Sequence, residues 1–94
     1  MAQQYEIGKH ATTVCTSSNR TVVTYQETQV VIFDDQAITL DSGGWKTNTT
    51  KTRMNQTANQ FGLGFSVYQE NFEWFVSTPS GDTIHFEDGM NFPR

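Results

Sequence analysis

Hydrophobic and polar positions change their period twice along this chain, and the changes divide it into three blocks. Residues 1–20 are mostly polar, with two short strand-like stretches, Gln4–Ile7 and Ala11–Thr16, followed by a turn at Ser17-Ser18-Asn19. From Thr21 to Leu40 the text turns β-branched: Thr21–Tyr25, Gln29–Phe33 and Ala37–Leu40 read as three strands. Asp34-Asp35-Gln36 supplies the hairpin turn between the last two, since Asp tolerates turn geometry and bonds its own backbone. This block is an antiparallel meander.

After Gly43-Gly44 the period lengthens from two to about 3.6. Met54, Ala58 and Phe61 then fall on one face of a helix over about residues 49–61, with Asn48 or Thr49 as its cap and Gly62 or Gly64 as its left-handed end. Phe65–Gln69, Glu73–Ser77 and Thr83–Glu87 follow as a second meander, with turns at Glu70-Asn71-Phe72 and Pro79-Ser80-Gly81-Asp82. The pattern predicts an α+β fold. It consists of an antiparallel sheet of two meanders and about six strands, with the one helix packed on one face and the edges exposed or used by a partner. The expected core is Ile38, Leu40, Met54, Phe65, Val67, Trp74, Val76, Ile84 and Phe86.

Length adds that residues 1–94 form a single domain, because a chain of this size holds one core and not two. Only 35% of residues are apolar, but 13% are aromatic, and large rings compensate for a low apolar count. No apolar run reaches the length of a membrane span and the first residues lack the pattern of a signal peptide, so the expectation is a cytoplasmic protein with no membrane partner. Three Asn-X-Thr sequons, at Asn19, Asn48 and Asn55, then have no access to glycosylation.

Candidate catalytic chemistry is sparse. Cys15 is the single cysteine, so no internal disulfide forms, and in its Val-Cys-Thr context it reads as a small packed hydrophobe dispensable for activity. Its nucleophilic use would need a base, with only His10 and His85 to choose from. The acidic pairs Asp34-Asp35 and Glu87-Asp88 look like solvated turns, and no His, Cys and Asp grouping has metal-ligand spacing. No catalytic residue, metal or cofactor is expected, and the chain is read as a non-enzyme.

Charge changes the picture more. The net charge is −4, yet residues 42–69 hold Lys46, Lys51 and Arg53 and no acid, so all ten acids lie elsewhere. The segment Ser42-Gly43-Gly44-Trp45-Lys46-Thr47-Asn48-Thr49-Thr50-Lys51-Thr52-Arg53 leads a glycine pair into the helix start. A helix N-terminus exposes unpaired N–H groups and partial positive charge, so a lysine there favours an anionic companion. Gly43, Gly44, Trp45, Lys46, Thr49, Thr50, Lys51 and Arg53 are therefore the candidate ligand-binding residues, without a phosphate-loop or dinucleotide motif. The alternative is a plain turn, helix-capping threonines and a solvated basic face. Trp45 either stacks on a base or sugar ring or covers the end of the core. Tyr68, Phe72 and Phe75 exceed what one sheet face can bury, so some of them should be exposed and mark a contact surface.

The stretch Ile38-Thr39-Leu40-Asp41-Ser42-Gly43-Gly44-Trp45-Lys46-Thr47-Asn48-Thr49-Thr50-Lys51-Thr52-Arg53-Met54-Asn55-Gln56 resembles a segment of small uncharacterised proteins of tailed bacteriophages, and the aromatic strand around Trp74 fits the same likeness. The resemblance implies a phage protein at work in an infected bacterial host and leaves its activity open. Two functions follow as expectations. One is a binding protein that holds nucleic acid or a phosphorylated small molecule at the helix start; its difficulty is a sequence pI near 4.9, which opposes long-range attraction to a polyanion. The other is an acidic protein-interaction module that inhibits a host or defence protein, or engages another phage protein. A symmetric homodimer through an exposed sheet edge is expected with either.

Overall fold

The computed structural model describes residues 11–44 and 46–94. The strand expected at Gln4–Ile7, together with His10 and Trp45, lies outside the described residues. The described part is α+β, with two antiparallel sheets and one helix. Its elements are β1 (Thr12–Ser17), β2 (Arg20–Tyr25), β3 (Thr28–Phe33), β4 (Ala37–Leu40), α1 (Asn48–Phe61), β5 (Ser66–Glu70), β6 (Glu73–Ser77), β7 (Thr83–His85) and β8 (Met90–Pro93). The larger sheet runs β1-β2-β3-β4-β8 and the smaller β5-β6-β7. Each strand read from the second and third blocks is present, and the meander turns fall at the Asp34 and Asn71 positions expected of them.

One strand was not legible in the alternation. The chain end returns to the first sheet as β8, pairing Ile38 with Phe92 and Leu40 with Met90. Its four residues include Pro93, which cannot donate to a ladder and is tolerated here because β8 is an edge.

The larger sheet buries one face. Val23, Val31, Phe33, Ile38, Leu40 and Phe92 are cross-strand partners on that face and all are buried. Val30 joins them because the β2–β3 register shifts after Val23, so that β3 carries one extra residue and two consecutive valines turn inward. Helix α1 packs against β2 and β3 of this sheet and against β5 of the smaller one. Met54 and Ala58 are buried in the resulting core with Phe65, Val67, Trp74, Val76 and Phe86, and Phe61 packs on it at the edge, its ring 5.0 Å from Phe33.

Both helix ends are defined, and the first differs from the expected cap. The N-cap is Thr47 rather than Asn48 or Thr49: its hydroxyl accepts the Thr50 N–H at 3.2 Å and also meets the Thr50 hydroxyl at 3.0 Å. Gly62 ends the helix in the left-handed conformation, and the Leu63 N–H then reaches the Ala58 carbonyl while the Leu63 side chain is buried.

Two core assignments need correction. Ile84 shares a face with Val76, as the alternation implied, but β7 is a three-residue edge strand and leaves Ile84 38% exposed. Cys15 is exposed and not packed. It lies on β1, an outer strand of the larger sheet, where five of six residues are exposed.

Candidate functional site

The glycine-to-helix segment is built around an anion that the chain supplies itself. Asp88, on the loop before β8, accepts hydrogen bonds from the Ser42 N–H at 2.8 Å and the Ser42 hydroxyl at 2.6 Å, and from the Gly44 N–H. Burial works against its charge, but the Ser42 hydroxyl, the two N–H groups and the nearby Lys46 outweigh burial and hold the carboxyl below its ordinary value. Gly43 turns the chain with φ of 64°, and its N–H donates to the Asp41 carboxylate at 2.7 Å. A Cβ at this position would strike the Thr28 side chain, so the approach of the two segments demands glycine.

The three cations do not form one groove. Lys46 and Lys51 lie over the two rings of a T-shaped pair, with Lys46 Nζ 5.8 Å from the Phe86 centroid and Lys51 Nζ 5.6 Å from that of Trp74. Arg53 points elsewhere: its Nε donates to the Thr12 hydroxyl, its Nη1 to the Gln56 amide oxygen, and its guanidinium lies 5.7 Å from the Tyr25 ring centre. Thr50 is buried in the cap, Thr49 is half-buried, and Gly44 is exposed beside its bond to Asp88. A cleft of about 430 Å³ does open beside the helix start, but it is lined by Tyr25, Glu27, Thr28, Ser42, Thr47 and Thr50 among others, and by none of the three cations.

Asp88 therefore serves first as a structural joint between the two sheets' connections. Asp88→Ala is expected to destabilise the protein by about 1–3 kcal/mol, because it strands the buried Ser42 hydroxyl and two N–H groups. The pH dependence has a definite sign. A carboxyl held below its unfolded value stabilises fully above that value, 3.8, and loses its contribution as pH falls through the lower folded value. Thermal unfolding of both proteins should show a constant gap near neutral pH that narrows below pH 3.8.

The second cluster is partly exposed. On the outer face of the smaller sheet, Tyr68, Phe75 and His85 are register partners across β5, β6 and β7. Their rings stack in a ladder, with Tyr68 to Phe75 at 5.7 Å and Phe75 to His85 at 4.6 Å. Tyr68 and Phe75 are half-buried and His85 is exposed. At the end of this face, the β5–β6 turn has positive φ at both central residues, 52° at Asn71 and 68° at Phe72, the pattern of a type I′ hairpin turn. Asn suits the first position and glycine the second, yet the second is a phenylalanine, 94% exposed. A bulky side chain held in the left-handed region gains nothing for the fold in this position.

Charge completes the surface. Residues 54–93 contain no Lys or Arg and five acids: Glu70, Glu73, Asp82, Glu87 and Asp88. Glu70 and Glu73 face each other across the turn that carries Phe72, and Glu73 reaches the exposed His85 at 3.9 Å. The surplus of aromatics in the sequence pointed toward this face; the strained position of Phe72 had no signal beyond the missing glycine after Asn71.

A family model described as Kyanoviridae Gp96 protein matches residues 1–93, covering the first block as well as the segment of phage-like resemblance. No curated protein and no solved structure matches the chain. Among the described residues no group of His, Cys, Asp and Glu is placed to hold a metal ion, and no helix is long and apolar enough to cross a membrane.

Proposed function

This chain belongs to the Kyanoviridae Gp96 family of phage proteins, and on that premise we propose that it is a non-enzymatic protein-interaction module of the infected cell. It docks on a basic partner protein through the outer face of the three-stranded sheet. The observation that carries this reading is Phe72, a fully presented aromatic ring in a backbone position where glycine would be easier. Positive φ recurs at the exposed Ala11, Ser18, Gln26 and Asn71, but of these residues Phe72 alone holds a large apolar ring there, and it is that combination which supports use of the ring by a partner. Beside it the Tyr68–Phe75–His85 ladder offers a half-buried aromatic surface, and Glu70, Glu73 and Glu87 near Phe72, in a hollow that Lys46 also lines, favour a cationic partner. Aromatic anchors ringed by polar groups are the usual energetic centre of a protein interface.

Holding an anion at the helix start is less well supported, because Asp88 takes the Ser42 and Gly44 donors and Arg53 is engaged with Thr12 and Gln56. The two readings separate in one experiment. Immobilised wild-type protein, a Tyr68→Ser/Phe75→Ser variant and a Lys46→Gln/Lys51→Gln/Arg53→Gln variant are each exposed to infected-host lysate, with bound proteins and nucleic acid quantified. The interaction reading predicts a protein that the triple variant retains at least as well as the wild type and the double variant loses at least tenfold, with capture weakening as salt rises. Loss of the captured species from the triple variant alone, or capture of nucleic acid, would favour the anionic ligand instead.

A further inference from the structure

We infer that the hollow beside Phe72 receives the guanidinium of one arginine side chain of the partner protein, so that arginine, and not lysine, anchors the complex. This rests on the docking reading above and names the chemical group that the docking face takes. The hollow measures about 410 Å³ and is lined by Phe72, Glu73, His85, Glu87 and Lys46 among others. Phe72 is 94% exposed, and the side chains of Glu73 and His85 are 65% and 63% exposed, so all three stand open to an incoming group.

Charge sets the sign of the occupant. Two carboxylates against one ammonium leave the lining net negative, and Glu70, the cross-strand partner of Glu73, brings a third carboxylate beside them. Like charges directly opposite each other across two strands are unfavourable, and a bound cation offsets that cost. The chain itself does not answer these acids. Among the described residues Glu73 has only its loose contact with His85 at 3.9 Å, and no lysine or arginine pairs with Glu70, Glu73 or Glu87. Lys46 holds its ammonium over the Phe86 ring, where it acts on Asp88. The ring then selects between cations. A lysine ammonium is a compact, strongly hydrated charge, whereas a guanidinium is planar and more weakly hydrated. It lies flat on the Phe72 ring while its edge N–H groups reach the Glu73 or Glu87 carboxylate, with the Gln69 amide oxygen as a further acceptor. Without the ring the acids would hold either cation. Arginine recognition therefore accounts for a phenylalanine kept where glycine would be easier.

The probes are capped glycine pentapeptides with arginine, lysine or citrulline at the centre, titrated into isotope-labelled protein and followed through the Phe72 and Glu73 amide signals. The arginine peptide should half-saturate about fivefold or more below the lysine peptide of equal charge, and citrulline, of arginine's shape without its charge, should not bind up to about 10 mM. Glu73→Gln/Glu87→Gln should weaken the arginine peptide by about fivefold or more, and Phe72→Gly should abolish its advantage over lysine, both with unfolding midpoints no lower than that of the wild type. No arginine binding up to about 10 mM, an arginine peptide no tighter than the lysine one, or equal binding by Glu73→Gln/Glu87→Gln and the wild type would each overturn the inference. Lysate capture judges the docking reading apart: capture lost in Tyr68→Ser/Phe75→Ser beside no arginine preference would leave docking standing and this inference fallen.

Discussion

Met54→Ala is expected to lower the free energy of unfolding by about 2–5 kcal/mol, the range for truncating a large buried side chain that leaves a cavity. Met54 is fully buried and sits where α1 meets both sheets, against the shared core that contains Leu40, Val67 and Trp74. The site cannot collapse easily. Its walls are strands held in register and a helix clamped to β5 by the two Asn55 bonds, so the lost volume remains as a void. Urea unfolding followed by far-ultraviolet circular dichroism measures the change, with an unchanged slope showing that the two-state transition is preserved. A loss under half a kilocalorie would mean that the helix presents a different face to the sheets.

The parts of this fold that local pattern controls were legible in the sequence. Period-two runs of β-branched residues marked β2, β3 and β4, and Met54 and Ala58 at helical spacing marked the buried face of α1. What escaped depended on partners distant along the chain. β8 is four residues with a proline and becomes a strand only because β4 offers an edge. The paired burial of Val30 and Val31 reflects a bulge set by register with β2, which alternation cannot encode. Thr47 replaced Asn48 and Thr49 as cap, a shift within the ordinary ambiguity of adjacent capping residues. Ile84 was assigned to the right face, but nothing in its neighbourhood tells that β7 would end a sheet.

The candidate site was legible in the same uneven way. Local composition singled out the glycine pair, the hydroxyls and the cations, and the glycine geometry is there at Gly43 and Gly44. The compensating anion was invisible because Asp88 is 46 residues from Ser42. Arg53 looked free in sequence for the same reason, since Thr12 lies 41 residues away. The aromatic ladder was half legible: an excess of rings signals exposure, but only the β5–β6–β7 register aligns Tyr68, Phe75 and His85.

The larger functional effect belongs to Phe72→Gly. The second position of the β5–β6 turn has φ of 68°, which costs a side-chain-bearing residue about 1–2 kcal/mol and glycine nothing of that kind. Because the ring is 94% exposed, its removal opens no cavity. Asn-Gly is also the preferred sequence for a turn of this shape. Folding should therefore improve, or at worst stay level once the greater freedom of glycine in the unfolded chain is counted. Binding should move the other way, since an aromatic anchor at the centre of an interface contributes about 2 kcal/mol or more, roughly a thirtyfold change in affinity. The most direct measurement takes one Phe72→Gly preparation and determines its unfolding midpoint alongside its affinity for the protein captured by the wild type. Docking through this face predicts an equal or higher midpoint with affinity weakened at least tenfold; affinity unchanged beside an intact fold would contradict it.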